Sequence, residues 1–285
     1  MFETVLFPTD FSERADVMLD CVASFPQIKK VILLHVVKET LHPMGAAVID
    51  RLAEEKAQTT LGAARRYLAS LNPAITVTLE TTVAPDVAEG ILAAAEETGA
   101  GLVVLGAHEK GLRAGILSGS IPVRVLCQAG RANVLFMRHK VVDSLSGETF
   151  EKFCPMLFTR ILCPTDFSKF SDHAAAMAGA AAGVREVILL HVVPGHAGAE
   201  KVREAEARIA AARGNLTARG VRCRSIVATG EPAAEIARVA EKEDASVIWI
   251  SSFGKGCLRE LIAGSTVQAV AMNAVRPVLV VRSVR

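Results

Sequence analysis

An internal repeat constrains this chain more than any other feature. The segment VLFPTDFS, Val5 to Ser12, returns as ILCPTDFS, Ile161 to Ser168, and VILLHVV, Val31 to Val37, returns unchanged at Val187 to Val193. Both pairs stand 156 residues apart, Asp10 from Asp166 and His35 from His191. A third pair, KGLRAGILSGS from Lys110 and KGCLRELIAGS from Lys255, stands 145 apart, so the second copy is eleven residues shorter between its second and third blocks. Three blocks matched in one order mark a duplication, and each copy must fold as the same unit. The 285 residues suffice for two domains of ordinary size.

Each copy carries the same rhythm of elements. VLF and ILC are short, wholly apolar strands of the kind buried on both faces of a parallel sheet. After PTDFS, Ala15, Met18, Leu19 and Val22 recur at helical spacing, and the matching stretch from Asp172 to Gly183 is alanine-rich and helix-favouring. VILLHVV is a second buried strand, followed by a longer helix expected from Ala46 to Leu71 and from Ala199 to Ala218. In the third strand Ile75, Val77 and Leu79 alternate with Thr76, Thr78 and Glu80, and Val221 and Cys223 alternate with Arg222 and Arg224. Alternation means one wet face, which places this strand at a sheet edge. A helix after Pro85 or Pro232, the strand LVVLG or VIWIS, a glycine-rich connection, a helix from Ser120 or Ser265, and a last strand, VLFM or VLVV, complete each copy. This order implies an α/β fold, two tandem doubly wound five-stranded parallel sheets with right-handed crossovers. The domains are expected at 1–140 and 159–285. The linker, 141–158, is broken by Asp143, Ser144, Ser146 and Gly147, and its end, Cys154 to Phe158, is apolar enough to pack on a neighbour.

Composition removes several functional classes. Thirty-two basic and thirty acidic residues leave a net charge of +2, with no basic block and one Trp and one Tyr for stacking, so no nucleic-acid partner is expected. The opening MFETVLFPTD lacks the basic start and apolar stretch of a secretory signal, and no apolar run reaches the roughly eighteen residues of a membrane helix, so the expected setting is cytoplasmic, without membrane contact. Six cysteines, Cys21, Cys127, Cys154, Cys163, Cys223 and Cys257, are scattered without a Cys-x-x-Cys pair. They read as reduced, mostly buried thiols rather than a disulfide frame or a zinc site.

Ligands of open parallel sheets bind beyond the carboxyl ends of the strands, and all three repeated blocks fall at such ends. Asp10 and Asp166 are either turn or cap carboxylates or acceptors for a sugar hydroxyl or base amine, and beside the other blocks the second reading is favoured. His35 and His191 have no partner ligands at metal spacing and read as structural imidazoles in a pocket wall. Val36 and Val192 offer backbone groups to a base edge and apolar surface to its face. Gly254 and Gly264 allow backbone N–H groups to approach a phosphate, and a helix N-terminus favours its charge. Ser265 either bonds a phosphate oxygen or caps the helix, and Pro122 suits a helix beginning at Ser120. Lys110 and Lys255 either screen phosphate charge or are solvated, the more frequent case. GAHEKGLR, from Gly106, has Leu112 where a P-loop needs Lys, and no G-x-G-x-x-G follows a first strand. No serine, cysteine or paired-carboxylate catalytic set has a credible base.

Strand-PTDFS, VILLHVV and a glycine series ending in Gly-Ser before a helix together resemble the universal stress protein family, once per copy and over nearly the whole chain. The resemblance implies a Rossmann-like fold of the adenine-nucleotide-alpha-hydrolase type. In the nucleotide-binding branch the series is Gly, two residues, Gly, nine residues, then Gly with Ser or Thr. That branch holds ATP or AMP, sometimes with a divalent ion such as Mg2+. Copy one has Gly106, then Glu109 at the second glycine, then Gly119 and Ser120; copy two has Ser251 at the first glycine, then Gly254, Gly264 and Ser265. Glutamate brings a like charge to a phosphate nest, whereas serine is small, so copy two is the better site. By resemblance, Asp166 and Val192 contact adenosine, Ser251 lines the ribose side, and Gly254, Gly264 and Ser265 hold phosphates. Asp10, Val36, Gly106, Gly119 and Ser120 form the weaker counterpart. The family pairs domains through their last strands, which implies such a pair within this chain and a further homodimer. A non-enzymatic module reporting nucleotide state to a protein partner ranks first, a ligand-free scaffold second, and an enzyme last. Any ATP hydrolysis is expected to be slow. PTDFS is not the Ser-Gly-Gly-x-Asp-Ser loop of the related ATP-pyrophosphatases.

Overall fold

The computed structural model describes residues 2–41, 47–48, 51–107, 121–138, 154–254 and 263–282. Glu109, Lys110, Gly119, Ser120, Lys255, Cys257 and the linker residues Asp143 to Gly147 therefore lie outside the described residues. The first copy runs β1 (Thr4–Pro8), α1 (Glu13–Ala23), β2 (Lys30–Lys38), α2 (Arg51–Leu71), β5 (Thr76–Ala84), α3 (Val87–Glu97), β6 (Leu102–Ala107), α4 (Ile121–Gln128) and β7 (Asn133–Arg138). Two-residue strands β3 (Thr40–Leu41) and β4 (Ala47–Val48) pair between β2 and α2. The helix expected from Ala46 thus starts later, because Ala47 and Val48 are held in that pair. The second copy runs β8 (Arg160–Pro164), α5 (Lys169–Gly179), β9 (Glu186–Val193), α6 (Ala199–Thr217), β10 (Cys223–Thr229), α7 (Pro232–Lys242), β11 (Val247–Ser251), α8 (Ser265–Asn273) and β12 (Val278–Val281).

Ten strands form one sheet in the order β10-β9-β8-β11-β12-β7-β6-β1-β2-β5. The alternating strands β5 and β10 occupy its two edges, as their half-wet pattern requires. Within each copy the pairing is parallel; the copies meet where β12 and β7 run antiparallel, Leu279 opposite Leu135. One core layer lies under α1, α2, α5 and α6 and the other under α3, α4, α7 and α8, and each crosses the β7–β12 seam. Val31, Ile32, Leu33 and Leu34 of β2 are fully buried, as are Val187, Ile188 and Leu190 of β9, each large side chain contributing about 1.5–3 kcal/mol. No helix of the described residues is long and apolar enough to cross a membrane.

The linker's end folds back on the first copy. Cys154, Leu157 and Phe158 are buried, and Phe158 packs edge-on against Phe25 and Trp249. Cys154 is joined to Cys21 of α1 in a disulfide, which corrects the expectation of reduced thiols throughout. No spacing rule could have found this pair, because a return of the chain over 133 residues brings the two together. Cys127, Cys163 and Cys223 are free thiols, Cys163 fully buried.

Candidate functional site

The Thr-Asp-Phe-Ser turn is built alike in both copies, each residue performing a local task. Thr165 Oγ1 accepts from Phe167 N at 3.0 Å, Asp166 Oδ1 from Ser168 N at 3.0 Å, and Ser168 Oγ from Ser171 N at 3.2 Å. The last of these, with its reciprocal bond, caps α5. In the first copy Thr9, Asp10 and Ser12 repeat this at 3.0, 3.1 and 3.3 Å, Ser12 capping α1 through Ala15 N. The turn reading of the two aspartates is therefore realised by one carboxylate oxygen of each. Phe11 and Phe167 pay for the turn with φ of 61° and 59°, in the left-handed region where a β-carbon is strained. Their rings lie 4.4 Å from His35 and His191. His191 Nδ1 donates to Thr165 O at 2.7 Å and His35 Nδ1 to Thr9 O at 2.9 Å, so each imidazole ties β9 or β2 to the turn.

Beyond this turn opens a cavity of about 520 Å3. It lies where β8 separates β9 from β11, the point at which the winding of the second copy reverses. Asp166, Val192, Ser251, Gly254, Gly264 and Ser265 all line it, so the structure brings the six second-copy candidates together. Its floor is apolar, from Leu190, Ile236, Ile250 and Val267. Asp166 is the one carboxylate among its described lining residues. Leu190 O accepts from Thr165 N on the β8 side, whereas Val193 O accepts from Gly230 N on the β10 side. Backbone alternation then turns the amide and carbonyl of Val192 towards β8, past the point where β8 has ended.

The remaining wall is the start of α8. Gly264 holds the cap position, φ −60° and ψ 153°, with no side-chain cap, and Ser265 is the first helical residue. Ser265 is therefore not the cap. α1, α3, α5 and α7 are each capped by a side chain; the first-turn N–H groups of α8 instead face the cavity lined by Ser265, Thr266 and Val267. A β-carbon on Gly264 would meet nothing within 4 Å among the described residues, so no contact of theirs demands glycine there. Gly254 differs: a β-carbon would stand 2.7 Å from Asp166 Oδ2. Close approach of that carboxylate, rather than backbone strain, explains this glycine. Ser251 is buried and its hydroxyl donates to Phe253 O at 2.9 Å, bending the chain away from β11.

In the first copy the described candidates are Asp10, exposed, Val36, buried beneath α3, and Gly106, paired with Met137. Gly119 and Ser120 lie outside the described residues, so that site is not assembled from them. The sequence reading missed Thr165, Phe253 and Thr266 as lining residues. Thr165 was within reach, since it belongs to a repeated block at a strand end. Phe253 and Thr266 carry no sequence signal, because the fold of the connection alone points them inward.

The fold and the cavity define a class: a duplicated, doubly wound α/β protein with a ligand-sized pocket at a switch point. Residues 1–130 and 157–282 match the model of the universal stress protein family, and the chain belongs to that family. Universal stress protein MJ0577 of Methanocaldococcus jannaschii is 30% identical over 156 residues, which is 45% of this chain and 96% of that protein. A universal stress protein structure from Archaeoglobus fulgidus superposes with a TM-score of 0.69 at 25% identity, covering 98% of this chain and 96% of its own. A putative universal stress protein structure from Pseudomonas aeruginosa gives 0.63 at 18% identity over 99% and 93%, a likeness of fold.

Proposed function

We propose that this protein is an adenine-nucleotide-binding module, with its site in the second copy. The observation that carries the reading is the start of α8 facing the cavity without a side-chain cap among the described residues, since first-turn N–H groups and the helix dipole together attract phosphate. The apolar floor suits a base, the amide and carbonyl of Val192 suit its edge, and Asp166 suits a ribose hydroxyl. A cavity of about 520 Å3 is within the usual range for small-molecule sites. ATP or AMP is the ligand that the family resemblance implies. A divalent ion accompanying it would be held mainly by phosphate oxygens and water, with Asp166 the carboxylate of the described lining. The imidazole in the described lining, His191, is tied through Nδ1 to Thr165 O, which supports a module that acts through occupancy, reporting to a protein partner, with hydrolysis slow at most.

The test is direct. Protein purified from cells is denatured and the released nucleotide identified by chromatography and mass spectrometry. About one adenine nucleotide per chain is expected. Gly264→Asp should abolish it, because a carboxylate at the cap repels phosphate, while Asp is a favoured cap and the open space accepts it. Gly119→Asp should not. No released nucleotide, together with no binding of added ATP or AMP with Mg2+, would overturn the reading in favour of a ligand-free scaffold.

A further inference from the structure

At the opposite end of the second copy lies a cavity of about 370 Å3, lined by Arg160, Arg185, Arg222 and Arg276 together with Glu186 and Asp244. Arg160 and Pro164 are the two ends of β8, so this cavity and the first stand roughly 13 Å apart along the strand. Glu186 is buried and anchors the cluster: Arg224 Nε approaches it at 2.8 Å, Arg160 Nε at 3.2 Å and Arg222 Nε at 3.7 Å. Arg224 also reaches Glu243 at 3.0 Å, and Arg276 reaches Asp244 at 2.9 Å. Arg185 has no acidic partner among the described residues. Four guanidinium groups thus share the cavity lining with two carboxylates, Glu186 and Asp244, leaving positive charge in excess inside the concavity.

The duplication supplies an internal control. Strand register aligns Arg160 with Thr4, Glu186 with Lys30, Arg222 with Thr76 and Arg224 with Thr78. The same register aligns Arg276 with Ala132, and Asp244, at φ 49°, takes the place of Gly99, at φ 61°. Arg185 aligns with Lys29, which keeps the positive charge, but the first copy builds the same strands with none of these guanidiniums, so the fold does not require the planar groups. What they share is a planar fork of donors matched to oxyanions. We propose that this cavity is a second anion site, separate from the nucleotide cavity, and takes a compact polyphosphate anion of the pyrophosphate kind. Glu186 holds Arg160, Arg222 and Arg224 in place, and Arg185 and Arg276 close on the ligand from the rim.

The probe is inorganic pyrophosphate, titrated by calorimetry into the full chain, into Gly264→Asp and into the double variant Arg185→Gln/Arg276→Gln. The double variant should fold, since Arg185 carries no ion pair among the described residues and the pair of Arg276 with exposed Asp244 is worth at most about 1 kcal/mol. A melting curve confirms that. Pyrophosphate is expected to bind the natural chain and Gly264→Asp alike, to bind the double variant about 100-fold more weakly, and to weaken with added salt. Pyrophosphate giving no heat with the natural chain overturns the proposal. Binding that survives the double substitution, or that Gly264→Asp abolishes, overturns it as well, the latter by assigning the anion to the nucleotide cavity.

Discussion

At the scale of single residues, what looks like one motif is several separate bonds. Thr165, Asp166 and Ser168 each spend one side-chain oxygen on a backbone N–H two or three residues on, and Phe167 takes the strained φ that results. The two oxygens of Asp166 face different ways, Oδ1 accepting from Ser168 N and Oδ2 standing against Gly254. Gly254→Ala should therefore displace that carboxylate; nucleotide affinity, measured by equilibrium titration, is expected to fall about tenfold, the loss of roughly one charge-assisted hydrogen bond. Glu186 permits a second prediction. Burial pushes its carboxyl up, but the hydrogen bond and charge of Arg224, with the charges of Arg160 and Arg222, hold it below the usual glutamate range. Its contribution to stability is present above the ordinary value of about 4.3 and is lost as pH falls through the lower folded value. Melting temperature against pH should show this loss on the acid limb, and Glu186→Gln should flatten it.

Among elements, helix starts separate structural from ligand-facing ends. Ser12, Asp86, Ser168 and Glu231 satisfy the first turns of α1, α3, α5 and α7 internally; α6 and α8 both start at a glycine without a side-chain cap, and of these two only α8 starts at the cavity. The strands were legible because burial on both faces demands unbroken apolar runs, and the edge strands because one wet face demands alternation. Helix boundaries were less so: Ala47 and Val48 have good helical neighbours, yet pair with Thr40 and Leu41. The Cys21–Cys154 bridge ties α1 to the linker's end, closing 133 residues. In the chain-entropy account a loop of that length is worth roughly 5 kcal/mol. Cys154→Ser, or reduction of the natural protein, should lower the melting temperature by roughly 5–10 °C, and the variant should become insensitive to reductant.

For the whole molecule, the seam between β7 and β12 decides the behaviour. Both cores cross it, and Phe136, Leu279 and Val280 at the seam are fully buried. The two copies should accordingly unfold together in a single calorimetric transition. Leu279→Asp buries an unpaired charge opposite Leu135; it should cost more than the 2–5 kcal/mol typical of a buried Leu→Ala change and split the transition in two. A single sharp transition in that variant would show the seam to be dispensable. Arg282 at the end of β12 reinforces the seam, its backbone N–H donating to Asn133 Oδ1 at 2.9 Å and its guanidinium to Leu126 O of α4.

By itself the sequence determined the duplication, the succession of elements within each copy, the edge place of the third strand and the strand ends where a ligand would be met, because apolar periodicity and repetition are local properties of the chain. It also singled out Gly254, Gly264 and Ser265, though not why each stands where it does: only the fold revealed that Asp166 crowds the first and that the second holds an uncapped helix start. The joining of the copies into one sheet was foreseen by resemblance alone. The disulfide and the arginine cavity were decided by tertiary structure, since each gathers residues far apart in sequence whose spacing carries no signal until the chain has folded back on itself.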